Sequence, residues 1–305
     1  MGGRAEWEPV LVVYPDQGNV FYETLARRLA AAARSSGTGD ADRIRLEPAS
    51  SLQDVDAGWL KTVTALIVNP AECALSGWRN VTRLERARRR IAVLADHVQT
   101  DWFALQFDTR LEIDAIIDVG FVPQEHEQPS GLPYIFLYNA ALPDEAELIK
   151  TQTAGWRPLP WAVVGHATPE RAALANDLVN HLGGEGVVFL PSLRPVRAKR
   201  GMLSPAALGR VLSASSFYVW CAHHRWAYYE SFRFLEAMLA GAVPCKIESR
   251  HFAALAGLPN VYRSVPELDE HVRERGPAAM FDDARDYYLA RGRLGDHLAQ
   301  ALARV

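Results

Sequence analysis

The sequence predicts an α/β protein made of two units, each with a parallel sheet that helices cover on both faces. Three observations indicate this fold class. Apolar runs of strand length alternate with helical stretches along most of the chain. A stretch with three prolines over 141–160 interrupts the alternation, which then restarts. The length of 305 residues suits two domains that each bury a core of their own.

The first half of the chain contains the apolar runs expected of buried strands. These runs lie at 9–14, 44–46, 65–68, 91–94, 115–121 and 133–138. A helix is expected over 19–34, because its apolar residues recur at helical spacing. After the third strand we expect a loop through Gly77 and then an arginine-rich helix over 81–90. We therefore place a first domain at 1–150.

The second half repeats the alternation of strands and helices. Strands are expected at 161–164, 187–190, 217–221, 242–247 and 261–262. Helices are expected at 144–149, from 168 onward, and at 204–213, 231–240, 266–275 and 282–305. Thr168 suits the N-cap position of its helix and Pro169 the first helical position. Ligands of such sheets bind at the carboxyl ends of the strands or between the units.

The composition excludes several classes of protein. The formal net charge of −3 and the pI of about 6.3 give no basic footprint for nucleic acid. Cys73, Cys221 and Cys245 form no CxxC pair, so neither a thiolate zinc site nor a redox dithiol is expected. The sequence has no apolar run of about 18 residues, and its start lacks a signal-peptide pattern. These features predict a cytoplasmic protein.

The stretch over 217–246 carries the clearest chemical pattern, since it reads as strand, loop, helix, glycine turn and strand. On a helical wheel Glu230, Arg233 and Glu236 share one arc with small residues, while larger apolar residues occupy the other. A helix N-terminus suits a diphosphate, and an arginine adds a forked pair of donors. A glutamate can accept hydrogen bonds from both vicinal hydroxyls of a ribose. The alternative is an ordinary exposed face of salt-bridged residues.

The pattern S-x-R-x-x-E-A-x-x-x-G-x-V-P, which starts at Ser231, resembles the nucleotide-sugar signature of glycosyltransferases with the GT-B fold. It is most similar to the exostosin-type pattern, and it also resembles the donor motif of bacterial α1,3-fucosyltransferases. The resemblance implies two Rossmann-like domains that face a cleft. It further implies that 1–150 binds the acceptor, that 151–280 binds the donor, and that a helix over 281–305 packs back on the first domain.

The same resemblance implies donor-site roles for individual residues. Arg233 is implied to contact the donor diphosphate and Glu236 the ribose, with Ser231 close to the phosphates. Further donor-site candidates are Glu230, His166, Arg171, Arg194, Lys199, Arg200 and His224. The alternative for each of these further candidates is an ordinary turn, helix or loop position.

The acceptor is expected against the first domain, where loops follow the strands at their carboxyl ends. An inverting transfer needs one base that takes the proton of the acceptor hydroxyl. The candidates by position are Asp16, Asp96, His97, Glu125 and His126. The sequence leaves the choice among them open, and each alternatively serves as a cap, turn or surface residue.

The resemblance implies a glycosyltransferase that moves a sugar from a nucleoside-diphosphate donor to a glycan or small-molecule acceptor. Inversion is favoured, because retaining members of the fold often carry two glutamates separated by about seven residues. Tyr228 occupies the position eight before Glu236, and Glu230, six before it, is not a clean substitute. No metal or other cofactor is expected, because no Asp-x-Asp pair follows an apolar strand.

Two other functions stay open on the sequence. One is a nucleotide-sugar epimerase of the same fold, and the other is a non-catalytic nucleotide-sugar-binding or scaffold protein. A nicotinamide dehydrogenase is disfavoured, because no GxGxxG opens either unit. The five arginines of 83–90 indicate either a solvated helix face or a patch for an anionic acceptor or a peripheral membrane contact.

Overall fold

The computed structural model describes residues 8–16, 20–36, 41–95, 100–107, 111–120, 131–191, 203–221, 228 and 230–305. The chain divides into two compact units. Unit 1 consists of Met1–Leu142 with Arg293–Val305, and unit 2 consists of Pro143–Gly292. The first boundary therefore follows Leu142, ahead of the expected one at 150.

Unit 1 is built on a parallel sheet. Its strands are β1 Val10–Tyr14, β2 Ile44–Pro48, β3 Thr64–Val68, β4 Arg89–Leu94, β5 Ala115–Asp118 and β6 Tyr134–Phe136. Its helices before residue 142 are α1 Val20–Ser35, α2 Ala57–Leu60, α3 Pro70–Val81 and α4 Asp101–Leu105. The strand order is β2-β1-β3-β4-β5-β6 within the described residues. Every residue of β3 is buried, as its run of apolar residues predicts for a central parallel strand.

Unit 2 contains a second parallel sheet. Its elements, in chain order, are α5 Pro143–Thr151, β7 Leu159–Val164, α6 Pro169–His181, β8 Val187–Phe189, α7 Pro205–Ser213, β9 Ser215–Cys221, α8 Ser231–Ala240, β10 Val243–Ile247, α9 Phe252–Leu255, β11 Val261–Tyr262 and α10 Val265–Ala290. The strand order is β11-β10-β9-β7-β8 within the part of the chain that the structure describes. Strand β9 lies between β7 and β10 and is buried over its whole length.

Local signals in the sequence set several helix starts in unit 2. The Thr168 side chain accepts a hydrogen bond from Arg171 N at 3.3 Å, and α6 begins at Pro169, as predicted. Ser204 Oγ accepts a hydrogen bond from Ala207 N at 3.2 Å at the start of α7. Helix α8 has the predicted bounds.

Instead of the loop expected through Gly77, two helical stretches meet there at a kink, and α3 spans both. Within α3, Gly77 has non-helical backbone angles, with φ −179° and ψ 71°. A Cβ on Gly77 would lie 3.3 Å from Asn80 Nδ2 and 3.5 Å from the Ala49 carbonyl oxygen. Asn69 caps the helix, since its side chain accepts a hydrogen bond from Glu72 N at 3.1 Å.

The predicted arginine-rich helix over 81–90 is also wrong. A short 3₁₀ helix at Thr82–Arg86 leads directly into β4. Three of the arginines make contacts within unit 1: Arg83 Nη2 donates to Val55 O at 2.7 Å, Arg88 pairs with Glu8 at 2.7 Å, and Arg90 pairs with Asp114 at 3.1 Å. The segment is therefore not a uniformly solvated helix face.

The end of the chain forms two helices instead of the single one predicted over 282–305. Helix α10 belongs to unit 2 and contains a break at Gly276, whereas α11 Leu294–Leu302 belongs to unit 1. Helix α11 packs against α1, and a Cβ on Gly295 would lie 2.9 Å from Ala32 O. Across the described ranges, no helix is both long enough and apolar enough to cross a bilayer.

Candidate functional site

Helix α8 begins at the carboxyl end of the sheet of unit 2, since its Arg233 contacts the last residue of β7. Its N-cap residue is Glu230, whose backbone lies in the left-handed region at φ 51° and ψ 45°. Glu230 is therefore not part of the helical arc on which the sequence placed it, and its side chain makes no capping hydrogen bond. The helix ends at Gly241, whose φ of 70° confirms the predicted glycine turn.

Glu230 is the centre of a buried ion network. Its Oε1 accepts a hydrogen bond from Arg233 Nε at 3.0 Å, and its Oε2 accepts one from Lys246 Nζ at 2.9 Å. The Glu230 side chain is 4% exposed and that of Lys246 0%, so the alternative of an ordinary exposed ion pair is wrong. Burial raises the pKa of Glu230, but Lys246 and Arg233 together outweigh burial and lower it to about 2.

Arg233 is held by acceptors on three elements. Besides the bond to Glu230, its Nη1 donates to Val164 O at 2.8 Å and to the Tyr218 hydroxyl. Its Nη2 makes no hydrogen bond to a described residue, and the side chain keeps 19% of its surface exposed. The guanidinium therefore has a fixed orientation and one edge that is open to a ligand.

Gly165, directly after β7, allows two guanidinium groups to approach the backbone. A Cβ on Gly165 would lie 2.7 Å from Arg171 Nη1 and 3.2 Å from Arg233 Nη2. Arg171 is 2% exposed and donates from Nη1 to His166 O at 2.9 Å. Burial lowers the pKa of Arg171, and the positive charge of Arg233 lowers it further. The structure thus brings His166, Arg171 and Arg233 together around one glycine.

Some buried polar atoms in and beside this network make no hydrogen bond to a described residue. Among them are Ser231 Oγ, in a residue that is 1% exposed, and His166 Nδ1. Ser231 opens α8, and within the first turn the Arg233 backbone N–H donates to Glu230 O at 2.9 Å. The Glu230 side chain does not cap the helix, and a helix N-terminus carries a partial positive charge that attracts anions.

The charges of the network nearly balance. Arg171, Arg233 and Lys246 are positive, and the carboxylates beside them are those of Glu230, Glu248 and Glu236. Glu248 lies 3.8 Å from Lys246 Nζ. When Glu236 is protonated, these described residues carry one positive charge more than when it is ionised.

Glu236 lies on α8 one turn after Arg233 and is partly exposed. Burial raises its pKa to about 7, although Arg233 acts in the opposite direction. Its carboxyl group therefore changes charge near neutral pH. This position leaves Glu236 accessible to a ligand that also contacts Arg233.

Sequence reasoning missed Lys246 and Tyr218, because both lie in runs that were interpreted only as buried strands. Lys246 offered a signal, since a lysine inside the apolar run of β10 must find a partner when it is buried. Tyr218 offered none, because tyrosine is common in strands. Its role depends on Arg233, which follows 15 residues later.

In unit 1 the structure describes one of the candidate bases, Asp16. The other candidate bases, Asp96, His97, Glu125 and His126, lie outside the described residues, as do the donor-site candidates Arg194, Lys199, Arg200 and His224. Asp16 follows β1 at its carboxyl end, and its buried Oδ1 makes no hydrogen bond to a described residue. Burial raises the pKa of the Cys73 thiol, and Glu72 and Asp16 raise it further, so Asp16 lies close to α3.

Comparisons with known proteins identify similar folds without a sequence family. No family model matches the sequence, and no curated protein matches it. The structure is similar to the crystal structure of Anabaena Alr3699/HepE in complex with UDP-glucose, at a TM-score of 0.58 and 11% identity, over 98% of this chain and 100% of that one. At this identity the similarity shows a shared fold.

Two further solved structures resemble the chain more distantly. The spinosyn forosaminyltransferase SpnP matches at a TM-score of 0.47 and 15% identity, over 97% of this chain and 98% of that one. A chain of the GtfA/B complex matches at 0.43 and 11% identity, over 78% of this chain and 57% of that one. The predicted fold class, α/β with two Rossmann-like units of the GT-B type, is confirmed by the two parallel sheets and the similarity to HepE. The exostosin-like motif stays a prediction.

Proposed function

We propose that the protein is a glycosyltransferase that takes a sugar from a nucleoside-diphosphate donor bound in unit 2. The observation that carries the proposal is the open Nη2 edge of Arg233 beside the uncapped start of α8. A diphosphate can accept hydrogen bonds from both groups of donors. The fold supports the proposal, because HepE shares it and holds UDP-glucose.

The donor-site residues have separate roles in this proposal. The Arg233 guanidinium and the Ser231 N–H at the start of α8 bind the diphosphate, and Ser231 Oγ adds a hydroxyl donor. Arg171 and His166 line the same edge around Gly165. Glu236 accepts the ribose hydroxyls in its ionised form. Arg194, Lys199, Arg200 and His224 stay further donor-site candidates.

The proposed reaction is a displacement at the anomeric carbon with inversion. The acceptor oxygen forms a bond to that carbon, and the bond from the carbon to the diphosphate oxygen breaks. A base removes the acceptor proton, and the departing diphosphate takes the electron pair. Arg233 and the start of α8 stabilise the charge that develops on the leaving group, the part that a metal ion would otherwise play. No metal is required in this proposal.

Asp16 is the candidate base that the described part of unit 1 supports. A carboxylate at the carboxyl end of β1, with one oxygen that has no bond to a described residue, can accept the proton of an acceptor hydroxyl. Asp96, His97, Glu125 and His126 stay alternatives for the same role. We propose a glycan or small-molecule hydroxyl as the acceptor.

A thermal-shift screen with UDP, GDP, ADP, dTDP and CDP tests donor binding. A ligand at 100 times its Kd adds about 2.7 kcal/mol to the free energy of unfolding, which is readily seen as a higher Tm. We expect one nucleotide to stabilise the wild type, and Arg233→Ala and Glu236→Gln to lose most of the shift. Arg210→Ala and Glu185→Gln, at exposed positions of unit 2, are matched controls that keep it.

A turnover assay distinguishes a glycosyltransferase from an epimerase and from a non-catalytic nucleotide-sugar-binding protein. The sugar form of the nucleotide found in the screen is incubated with a panel of monosaccharides and alcohols, and free nucleoside diphosphate is measured. A transferase releases it in an acceptor-dependent manner, with the release lost in Arg233→Ala. An epimerase changes the sugar without an acceptor, and a binding protein does neither. Asp16→Asn lowers kcat while the nucleotide still binds if Asp16 is the base.

A further inference from the structure

Lys246 is completely buried, yet it is linked to the candidate donor site through two ion pairs in series. Its Nζ lies 2.9 Å from Glu230 Oε2, and Glu230 Oε1 lies 3.0 Å from Arg233 Nε. The two carboxylate oxygens thus serve two different cations. Because the carboxylate is rigid, a movement of Oε2 after the loss of Lys246 also displaces Oε1, which holds Arg233.

This arrangement is not one that stability alone favours. Burying an ion pair costs about as much desolvation energy as the pair recovers, and apolar residues of similar size often stabilise a core equally well. The other residues of β10 are apolar. Glu230 moreover holds a left-handed backbone, which is uncommon for a residue other than glycine or asparagine. Such strain is typical of sites that must hold a defined geometry.

We infer that Lys246 is a positioning residue for donor binding: it fixes the Glu230 carboxylate, which in turn orients the Arg233 guanidinium toward the diphosphate. The inference rests on the proposed function. Lys246 itself cannot touch the donor, because its side chain has no exposed surface. Val164 O and the Tyr218 hydroxyl fix the other side of Arg233, so the guanidinium is clamped from two directions.

The link between Lys246 and Arg233 has a test that needs no nucleotide. The Arg233 Nε–H, which donates to Glu230, is followed by ¹⁵N NMR as its exchange rate with water. In Lys246→Met we expect this exchange to become at least about tenfold faster, because Glu230 loses its second partner and moves. Lys150→Met, at an exposed lysine of unit 2, is the matched control and leaves the rate unchanged. An unchanged rate in Lys246→Met overturns the inference.

Nucleotide affinity then tests the functional consequence. With the nucleoside diphosphate found in the screen, Lys246→Met is expected to raise Kd by about 10- to 100-fold, the range typical of residues that orient a ligand-binding group. In an Arg233→Ala background the same substitution should change Kd by less than about twofold, because the group it orients is gone. An equal loss in both backgrounds overturns the inference and indicates general loss of structure.

A charge-balanced variant protects this test against loss of folding. Lys246→Met combined with Glu230→Gln removes both buried charges, and its Tm is expected to lie above that of Lys246→Met alone. Its affinity for the nucleotide should nevertheless stay below that of the wild type, because no carboxylate holds Arg233 in this variant. Wild-type affinity in this variant contradicts the inference. If no nucleotide binds the wild type, the proposed function fails, and the exchange experiment still decides whether Lys246 positions Arg233.

Discussion

Two residues in this molecule share an unusual backbone conformation at corresponding places but use their side chains differently. Asn69 in unit 1 and Glu230 in unit 2 both precede a helix, with φ of 52° and 51°. The Asn69 side chain caps α3. The Glu230 side chain leaves α8 uncapped and instead holds Arg233 and Lys246.

The difference shows that the same backbone conformation leaves the N-cap side chain free to serve the helix in one unit and an ion network in the other. In unit 1 a local residue satisfies an N–H group at the helix start, as in most helices. In unit 2 the Glu230 side chain accepts no hydrogen bond from the N–H groups at the start of α8. An asparagine at this position would suit both the left-handed backbone and the cap. The left-handed glutamate therefore lies at the helix start where we propose that the diphosphate binds.

The largest effect is expected when Glu230 is replaced by the residue that unit 1 uses. Glu230→Asn removes the partner of both Arg233 and Lys246, so nucleotide affinity should fall about 100-fold. The free energy of unfolding should fall by about 3 kcal/mol, because Lys246 loses its close partner while buried. Calorimetry and urea unfolding measure the two quantities. Glu185→Asn, at an exposed position, should change neither, and retained affinity in Glu230→Asn would show that the network is not part of the site.

Gly165→Ala tests the space in which the guanidinium groups meet. The added Cβ would lie 2.7 Å from Arg171 Nη1, so one or both arginines must move. We expect a loss of about 1–3 kcal/mol in the free energy of unfolding, as for other overpacked sites, together with weaker nucleotide binding. Gly209→Ala is the matched control, because a Cβ there meets nothing within 4 Å and lies in a helix. Equal changes in the free energy of unfolding and in nucleotide affinity for the two variants would contradict the crowding at Gly165.

The pH dependence of nucleotide binding tests Glu236. Its pKa of about 7 is above that of an ordinary carboxyl group, so the charged form that accepts ribose hydroxyls forms only as pH rises through 7. Affinity should therefore fall by up to about tenfold per pH unit below 7 and level off above it. The nucleotide also titrates, so the informative quantity is the ratio of affinities for wild type and Glu236→Gln. A ratio that does not change between pH 5.5 and 8.5 rules out this role.

The smallest effect is expected at the cap of unit 1. Asn69→Ala should lower the free energy of unfolding by about 1–2 kcal/mol, through the lost cap and the left-handed backbone that alanine disfavours. Nucleotide affinity should stay unchanged. Glycine adopts the left-handed backbone without strain, so the free energy of unfolding of Asn69→Gly should lie between those of Asn69→Ala and the wild type. Weaker nucleotide binding in Asn69→Ala would remove the contrast between the two helix starts.

Much of the fold could be predicted from the sequence, because its signals are local. Apolar runs of parallel strands and the Thr168 and Ser204 caps depend on neighbours in the chain. Gly77 does interrupt α3 with a kink, but the sequence did not indicate that helical turns continue on its far side. The break between α10 and α11 contains Gly292, whose φ of 85° suits glycine. The sequence prediction carried one helix through this glycine, so the signal was present and was not used.

The candidate site was predictable only in part. Arg233 and Glu236 follow from their spacing on one helix. The partners that orient Arg233 come from other strands, namely Val164, Tyr218 and, through Glu230, Lys246. No periodicity encodes which strands lie side by side. The left-handed conformation of Glu230 is likewise invisible in the sequence, since a helical wheel places it on the helix.

The most direct test of the central claim compares a nucleoside with its diphosphate by calorimetry, in wild type and Arg233→Ala. The claim is that the start of α8, with Arg233, binds the diphosphate. Wild type should then bind the nucleoside diphosphate at least about 100-fold more tightly than the nucleoside, and Arg233→Ala should lose most of that ratio while its nucleoside affinity is kept. If Arg233→Ala keeps the ratio, or weakens both ligands equally, the diphosphate is bound elsewhere and the account is contradicted.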